Sequence, residues 1–130
     1  MSALARIRRF NRAVTRETGA MEESFLGRGR PLGAARVLWA IAEGGRDVAE
    51  SRAELSLDSG LMSRLLRGLE AEGLAMVETD PADRRRRRAV LTDAGLAEKA
   101  AYDRLNDAMA ARMLARAPRH HAALLAAMDL

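Results

Sequence analysis

The 130-residue chain is 48% hydrophobic and 31% charged, a composition that favours one globular domain over a disordered segment. It has no cysteine, which excludes disulfide bonds, thiolate zinc sites and thiol redox sensing. The net charge is +4, but the excess is uneven: residues 1–36 carry eight arginines against three glutamates, whereas residues 46–92 carry nine arginines and nine acids. If this protein binds an anionic partner, the binding surface must be formed by basic residues that lie close together in the fold, not by the net charge of residues 46–92, which is zero.

No membrane association is expected from the sequence. No apolar run approaches the roughly 18 residues of a membrane span. The start, "MSALARIRRF", lacks the apolar core of a signal peptide. The expected localisation is cytoplasmic.

The amino-terminal segment predicts a long amphipathic helix over residues 3–26. Ile7, Phe10, Val14 and Met21 recur at spacings of three, four and seven, with Leu4 and Phe25 near the same stripe. The narrow stripe favours packing on a partner subunit, and an ordinary core face is the alternative.

The stretch "GRGRP", residues 27–31, predicts a break before a central helix. Pro31 is placed to begin that helix, and Gly44-Gly45 to end it. Its sequence, "LGAARVLWAIAE", is apolar on most sides, so we assign it and Trp39 to the core rather than to a ligand cage.

Residues 47–73 predict two short helices joined by a tight turn at residues 56–58, the helix-turn-helix pattern. Asp47 is placed to cap the first helix, Asp58 or Ser59 the second, and Gly73 to terminate it.

The second helix of this pair has two different faces. At 100° per residue, one stripe is apolar: Met62, Leu65, Leu66 and Leu69. The opposite face carries small residues, a hydroxyl and two guanidiniums, with no acid at its centre: Gly60, Ser63, Arg64, Arg67 and Ala71. Arginine offers a donor fork for guanine edges or phosphates, so this face predicts a DNA-reading surface. An ordinary solvated face is the alternative.

The segments "LAMVE" and "RAVLT" predict two strands, joined by a hairpin loop over residues 79–87. A hairpin directly after a helix-turn-helix makes a winged helix. The run Arg84–Arg88 then lies at the wing tip, where a narrow minor groove attracts arginine, and Asp83 is expected to pair with neighbouring arginines and fix the loop. Most charge runs are solvated surface, which is the alternative interpretation of this run. The preference for arginine over lysine is also typical of GC-rich coding, so the run by itself does not establish DNA binding.

The last region predicts a helix over residues 93–116, capped by Thr92, then a break at Pro118 and a final helix over residues 119–130. Apolar positions of the first of these helices are Leu96, Leu105, Met109, Met113 and Leu114. His120 and His121 are adjacent and do not face each other on a helix, so no metal site is expected.

The stretches "SGLMSRLLRGLEAEGL" and "DPADRRRRRAVLTDAG" resemble the multiple-antibiotic-resistance regulator (MarR) family of bacterial winged-helix transcription factors. That family's pattern ends the recognition helix in leucine, glutamate and glycine, and continues with a D-x-R wing, L-T and a helix. Matching positions are Asp83, Arg85, Leu91, Thr92 and Gly95. The resemblance covers roughly residues 4–128.

The resemblance implies a homodimer that reads a pseudo-palindromic site, with a mainly α fold and a small β-hairpin wing. The DNA-binding lobe would span about residues 32–92, and dimerisation helices about 3–26 and 93–130 of a single 1–130 domain. Implied DNA contacts are Ser59, Gly60, Leu61, Ser63, Arg64 and Arg67 on the recognition helix and Arg84, Arg85, Arg86 and Arg87 on the wing. Implied dimer contacts are Leu4, Ile7, Phe10, Val14, Met113, Leu124, Leu125 and Met128.

The chain departs from the family pattern in the recognition helix and in the second wing strand. Leu61 stands where relatives often have a polar group, and it could contact a thymine methyl. Arg88 stands where the second wing strand is often apolar. The final helix is also short for a dimer clamp.

Many family members release DNA when a small aromatic or anionic ligand binds between the dimer helices and the lobes. A pocket for such an effector is expected where Phe10, Met21, Phe25 and Trp39 approach the last long helix, with a plain core as the alternative.

The predicted function is a dimeric, sequence-specific transcriptional regulator without a cofactor. The alternative is a protein-interaction module, or the regulatory part of an acetyltransferase-type protein, since "LDSGLMSRLLRGLE" also resembles regulator domains fused ahead of N-acetyltransferases. The sequence is compatible both with a stand-alone member of the family and with a fragment of a longer protein. An enzyme is not expected, because the sequence shows no nucleophile with a base and no phosphate-binding glycine loop.

Overall fold

The computed structural model describes residues 1–129 and is mainly helical, with one small antiparallel sheet. The elements in chain order are α1 Ala3–Thr18, a 3₁₀ turn Phe25–Gly27, α2 Leu32–Ala40, β1 Arg46–Asp47, α3 Val48–Leu55, α4 Ser59–Ala71, β2 Ala75–Thr79, β3 Arg87–Leu91, α5 Asp93–Ala115 and α6 His121–Met128. The strand order is β1-β3-β2. The predicted mainly α fold with a hairpin between helices is confirmed.

Local capping signals place the helix starts where the sequence predicted them. Asp47 caps α3 by accepting from the Glu50 N–H, and Asp58 caps α4 by accepting from the Leu61 N–H. Thr92 caps α5 in the same way through the Gly95 N–H. Each cap satisfies a backbone donor that the first helical turn leaves unpaired.

Two predicted helix ends were wrong. The first helix ends at Thr18 rather than at residue 26, because Gly19 adopts a left-handed conformation and its N–H bonds back to Arg16. The second ends at Ala40 rather than at Gly44-Gly45. There Ile41 turns to extended backbone and its side chain is fully buried in the core, so packing ends the helix before the glycines.

The short strand β1 was not predicted from the sequence. Its two residues pair with β3, Arg46 opposite Ala89 and Asp47 opposite Arg88. Two residues are too few to show an alternating pattern. The signal for it lies in Gly45, whose φ is +93° and where a Cβ would come within 2.8 Å of an Arg88 guanidinium nitrogen. The positive φ favours glycine at this position.

The core lies between α2, α4, α5 and the sheet. An aromatic cluster forms part of it: the ring centroids of Trp39 and Tyr102 are 5.6 Å apart, and those of Phe25 and Trp39 are 6.0 Å apart. Both contacts are edge-on, the arrangement that aromatic quadrupoles favour. The apolar stripe of α4 is buried as predicted at Met62, Leu66 and Leu69, with Leu65 half-buried.

The start of α5 is locked against the link between α4 and β2. The Thr92 N–H donates to the Leu74 carbonyl over 3.0 Å, and the Thr92 hydroxyl donates to the Gly73 carbonyl over 2.6 Å. Gly95 lies so close that a Cβ there would be 1.9 Å from the Leu74 oxygen. The pattern of Thr92 followed by Gly95 therefore serves a helix-to-strand contact.

A buried charged network, called here the Arg30 network, links the α1–α2 connection to α4 and α5. It consists of Arg28, Arg30, Glu72, Glu98 and Tyr102. Arg30 donates to both carboxylate oxygens of Glu72, over 2.8 and 3.2 Å, and to Glu98 over 2.7 Å and the Tyr102 hydroxyl over 3.0 Å. Arg28 also pairs with Glu98. From the sequence, residues 27–31 were predicted only as a break between helices.

The network changes the ionisation of its members. Burial alone would raise the pKa of Glu98, but hydrogen bonds from Arg28 and Arg30 outweigh it, and the pKa lies below its ordinary value. The hydrogen bond to Glu72 is the main reason that the pKa of Arg30 is raised. Burial raises the pKa of Tyr102, which is neutral at physiological pH.

These shifts predict how acid affects Glu98→Gln. A carboxyl whose folded pKa is lowered stabilises the fold above its unfolded pKa of about 4.3, and this stabilisation is lost as the pH falls through the folded value. We expect the variant to have a lower free energy of unfolding than wild type at pH 7, by about 1.5–3 kcal/mol for a charged hydrogen-bonded group. The two should converge as the pH falls below about 4.

Urea unfolding at a series of pH values measures both effects. Glu43→Gln is the control, since Glu43 is an exposed carboxylate outside the network. A constant gap between wild type and Glu98→Gln down to acid pH would contradict the prediction.

Among residues 1–129, no helix combines the length and the apolar character needed to cross a membrane.

Candidate nucleic-acid interface

The α3–α4 pair has the tight turn of a helix-turn-helix. Ser56 ends α3 in a left-handed conformation, with φ of 55°, and its N–H bonds to the Ala53 carbonyl. The Leu57 N–H bonds to the Arg52 carbonyl over 3.1 Å, and the side chain of Leu57 packs against the core. With Asp58 starting α4 at once, the turn between the helices is three residues, as predicted.

The outward face of α4 is open to solvent. Gly60, Arg64 and Arg67 are exposed, whereas Ser63 and Leu61 are half-buried. Ser59, the first residue of the helix, is also exposed. Across residues 1–129, no carboxylate lies within ion-pair distance of Arg64 or Arg67, so both guanidiniums are available to another molecule.

The Arg64 side chain lies beside Gly60. A guanidinium nitrogen of Arg64 would be 3.6 Å from a Cβ built at Gly60, and Asp58 would be 3.3 Å from it. Arg64 therefore lies over the first turn of α4, next to the helix amino terminus. Both features favour an anion at this end of the helix.

The wing is a regular hairpin with a folded tip. Thr79 pairs with Arg87 at the end of the strands, and the Asp80 N–H donates to the Arg86 carbonyl over 2.9 Å. Asp83 holds the tip: its Oδ1 accepts from the Arg85 N–H over 3.0 Å and from the Arg85 Nε over 3.3 Å. Its Oδ2 lies 3.8 Å from the Arg86 Nε. The Arg85 side chain is nevertheless 91% exposed.

Arg88 differs from the rest of the arginine run. Arg84, Arg85, Arg86 and Arg87 are exposed, but Arg88 is half-buried and donates to the Gly44 carbonyl. It also lies opposite Glu78 on β2 and opposite Asp47 on β1. Arg88 thus joins the wing to the loop before α3. This contact explains why an arginine stands at a position in β3 where an apolar residue was expected.

The wing and the two helices enclose an open cleft of about 460 Å³. One side consists of the first turns of α3 and α4, with Ser59 and Ser63, and the other of Arg85, Arg86 and Arg87. Asp47 and Glu50 also line the cleft, so its charge is mixed. Of the DNA contacts named from the sequence, Ser59 and Ser63 of α4 and Arg85, Arg86 and Arg87 of the wing therefore line one cleft.

The order of the wing tip can be tested without DNA. We expect Asp83→Ala to speed trypsin cleavage within residues 84–88 severalfold, because it removes the acceptor that folds the loop around its arginines. Asp83→Asn keeps an acceptor at the same place and should be cleaved more slowly than the alanine variant. The free energy of unfolding should fall by no more than about 1 kcal/mol, since these bonds are exposed.

Native-state proteolysis with mass analysis gives the cleavage rates, and urea unfolding gives the stability. Equal cleavage of wild type and Asp83→Ala would show that Asp83 does not order the tip.

The four residues expected to line an effector pocket are not together in the single chain. Phe25 is buried and Trp39 partly buried in the aromatic cluster with Tyr102, but Phe10 and Met21 are largely exposed on the surface. Among residues 1–129, the Trp39 indole nitrogen is a buried polar side-chain atom without a hydrogen-bond partner.

The residues expected at a dimer interface are exposed or half-buried. Neither α1 nor α6 has a buried residue. Leu4, Ile7 and Phe10 of α1 are each more than half exposed, and so is Met128 of α6. Leu125 is exposed, whereas Val14, Met113 and Leu124 are half-buried. An ion pair of 3.0 Å between Glu17 and Arg116 joins the end of α1 to the end of α5.

No group of three or more metal-ligating side chains occurs within the described part of the chain, residues 1–129.

A helix-turn-helix followed by a β-hairpin wing, with a short strand before it that completes a three-stranded sheet, defines a winged-helix protein. Residues 28–86 match the sequence profile of the MarR family. The matched residues run from the connection before α2 to the wing, so this part of the chain is similar to the MarR family. A search of curated proteins gave no match.

Solved structures of other proteins share the fold. CouR from Rhodococcus jostii RHA1, bound to p-coumaroyl-CoA, is 26% identical, with 78% of this chain and 73% of that chain covered and a TM-score of 0.67. A MarR-family transcriptional regulator from Rhodococcus sp. RHA1 is 21% identical over 99% of this chain and 91% of its own, with a TM-score of 0.76. The S. aureus MepR–DNA complex is 18% identical over 98% and 93%, with a TM-score of 0.69.

Proposed function

We propose that the protein is a sequence-specific DNA-binding transcriptional regulator that acts as a homodimer on a pseudo-palindromic operator. The observation that carries the proposal is the cleft that Ser59 and Ser63 of α4 line together with Arg85, Arg86 and Arg87 of the wing. Arg64 and Arg67 of the same helix are exposed and lie outside ion-pair distance of any carboxylate of residues 1–129. A MarR-fold protein, MepR, has been solved with DNA.

The geometry suits the two grooves of DNA differently. α4 presents small and half-buried residues around two free guanidiniums, which suits close approach to base edges in the major groove. The exposed wing arginines suit a narrow minor groove. The cleft between them, with the amino-terminal turn of α4 on one side, suits the phosphate backbone that separates the grooves.

The homodimer is supported by unpartnered apolar surface. α1 and α6 together expose Leu4, Ile7, Phe10, Leu125 and Met128, and none of these helices' residues is buried within one chain. Apolar surface of this extent commonly marks an interface. A second copy of the chain would cover it and bring two α4 helices into one assembly, as a pseudo-palindrome requires.

Release by a small aromatic or anionic effector is part of the proposal. Trp39 has a buried N–H without an acceptor, and CouR has been solved with p-coumaroyl-CoA. The test is a screen of aromatic acids and their coenzyme A thioesters for quenching of Trp39 fluorescence together with loss of DNA binding. A screen in which no compound has both effects would count against release by this class of effector.

The deciding experiment is selection from randomised and genomic duplex fragments at physiological salt, followed by sequencing of the retained DNA. We expect an enriched inverted repeat with half-sites about one helical turn apart. A variant with alanine at both Arg64 and Arg67 tests whether α4 is responsible, and it should show no enrichment of the repeat. Retention without sequence preference by wild type would favour a protein-interaction module instead.

A further inference from the structure

The Arg30 network contains a buried charge that DNA contact does not use. Arg30 is 7% exposed, yet it lies in the connection between α1 and α2, just before Pro31. Its own backbone is held as well, since its carbonyl accepts from the Phe25 N–H over 2.8 Å. A buried guanidinium requires several acceptors, and here it has three partners from two other parts of the chain.

The partners of Arg30 belong to two different functional parts. Glu72 directly follows the last residue of α4, the reading helix. Glu98 and Tyr102 lie one turn apart on α5, the long helix assigned to the dimer. Arg30 therefore bridges the carboxyl end of the reading helix to the body of α5.

The other connection between these parts is at the start of α5, where Thr92 bonds to Gly73 and Leu74 just after α4. α4 packs mainly on α2 and β2 rather than on α5. The link to Glu72 is a two-pronged guanidinium–carboxylate pair, which fixes orientation as well as distance. The pair of Arg30 with Glu98 is buried on both sides, and buried ion pairs add little net stability compared with apolar packing but can specify one geometry.

We propose that Arg30 is a positioning residue that sets the angle between α4 and α5, and through it the spacing between the two half-sites that the dimer accepts. The inference rests on the proposed function of a homodimer reading an inverted repeat.

The separation between the two α4 helices is sensitive to the contact between Arg30 and Glu72, because a small tilt at one end of a helix displaces its other end. A helix of 13 residues is about 20 Å long, so a tilt of about 10° around its Glu72 end moves its first turn by about 3 Å. That displacement is close to the rise of one base pair, about 3.4 Å. A dimer whose α4 helices are held firmly should reject a repeat with one base pair added or removed, and one whose helices are loosely held should accept it.

The experiment measures binding to duplexes that carry the half-sites selected by the wild-type protein, with the separation varied by one and two base pairs. Arg30→Lys keeps the charge and loses the two-pronged geometry. Glu72→Gln keeps the shape of the side chain and removes its charge. Because the Glu72 side chain is 44% exposed, this variant should fold even if Arg30→Lys does not, and it tests the same contact. Arg36→Lys is the control, because Arg36 is exposed on α2. Circular dichroism and urea unfolding establish that each variant compared is folded.

We expect wild type and Arg36→Lys to prefer one separation sharply. In Arg30→Lys and Glu72→Gln, the preference for that separation over its neighbours should fall by about 2- to 30-fold, while the preferred bases within each half-site are unchanged. A merely structural role would lower the stability and the affinity for all separations alike.

The outcomes separate the two proposals. If wild type selects an inverted repeat and the folded variants keep its sharp spacing preference, the positioning role is wrong and the proposed function stands. If wild type selects single half-sites or no sequence at all, the homodimeric regulator is wrong and this inference falls with it.

Discussion

Gly95→Ala is expected to lower the free energy of unfolding by at least about 3 kcal/mol, at or above the upper end of the usual cost of overpacking. The added methyl would lie 1.9 Å from the Leu74 carbonyl oxygen and 3.3 Å from a Leu91 methyl. Backbone cannot rotate away as a side chain does, so α5 must shift outward. That shift would break the Thr92 bonds to Gly73 and Leu74 at the same junction.

Gly68→Ala is the matched control for this substitution. Gly68 lies inside α4, is exposed, and has no atom within 4 Å of the position that a Cβ would take. Because alanine restricts the unfolded chain and favours helix, this variant should be more stable than wild type by about 0.4–1 kcal/mol. Urea unfolding of both variants checks the pair. A Gly95→Ala protein as stable as wild type would show that α5 does not approach Leu74 this closely.

Arg64→Ala is expected to weaken binding to the selected operator by about 1–3 kcal/mol, which is roughly 5- to 150-fold, and to relax preference at one base position in each half-site. The reason is that its guanidinium is free of protein carboxylates and lies over the exposed first turn of α4. Arg86→Ala at the wing should act differently. It should weaken binding to all sequences alike and lower the salt dependence by about one counterion.

Titrations of the selected operator and of single-base variants of it, at several salt concentrations, separate these effects. Arg36→Ala removes an exposed arginine of α2 and should leave affinity and base preference unchanged. If Arg64→Ala keeps both the affinity and the base preference of wild type, α4 does not read bases through this residue.

The features that were predicted correctly from the sequence are those that depend on residues close together along the chain. Asp47, Asp58 and Thr92 cap helices through contacts only three residues away, so their signal is local. The two faces of α4 follow from its periodicity alone. The three-residue turn between α3 and α4 is equally local.

The sequence could not predict what long-range contacts determine. Arg30 and Glu98 are far apart along the chain, and nothing near either residue indicates that they meet. The end of α2 was misplaced because burial of Ile41, rather than the later glycines, ends that helix. In the arginine run, the difference between Arg88 and its neighbours depends on the Gly44 carbonyl, which only the folded β1–β3 pairing brings near.

The inward attachment of Arg88 has a consequence for evolutionary change in this protein. The tip of the hairpin, residues 80–86, is closed by its own bonds, and Arg88 fastens the base of the hairpin to the loop before α3. Mutations that lengthen, shorten or recharge the tip are therefore expected to leave α4 in place. If the protein binds DNA as proposed, selection could alter the contact with the minor groove while the base contacts of α4 stay the same. Related proteins would then diverge in operator flank preference before they diverge in the core of the half-site.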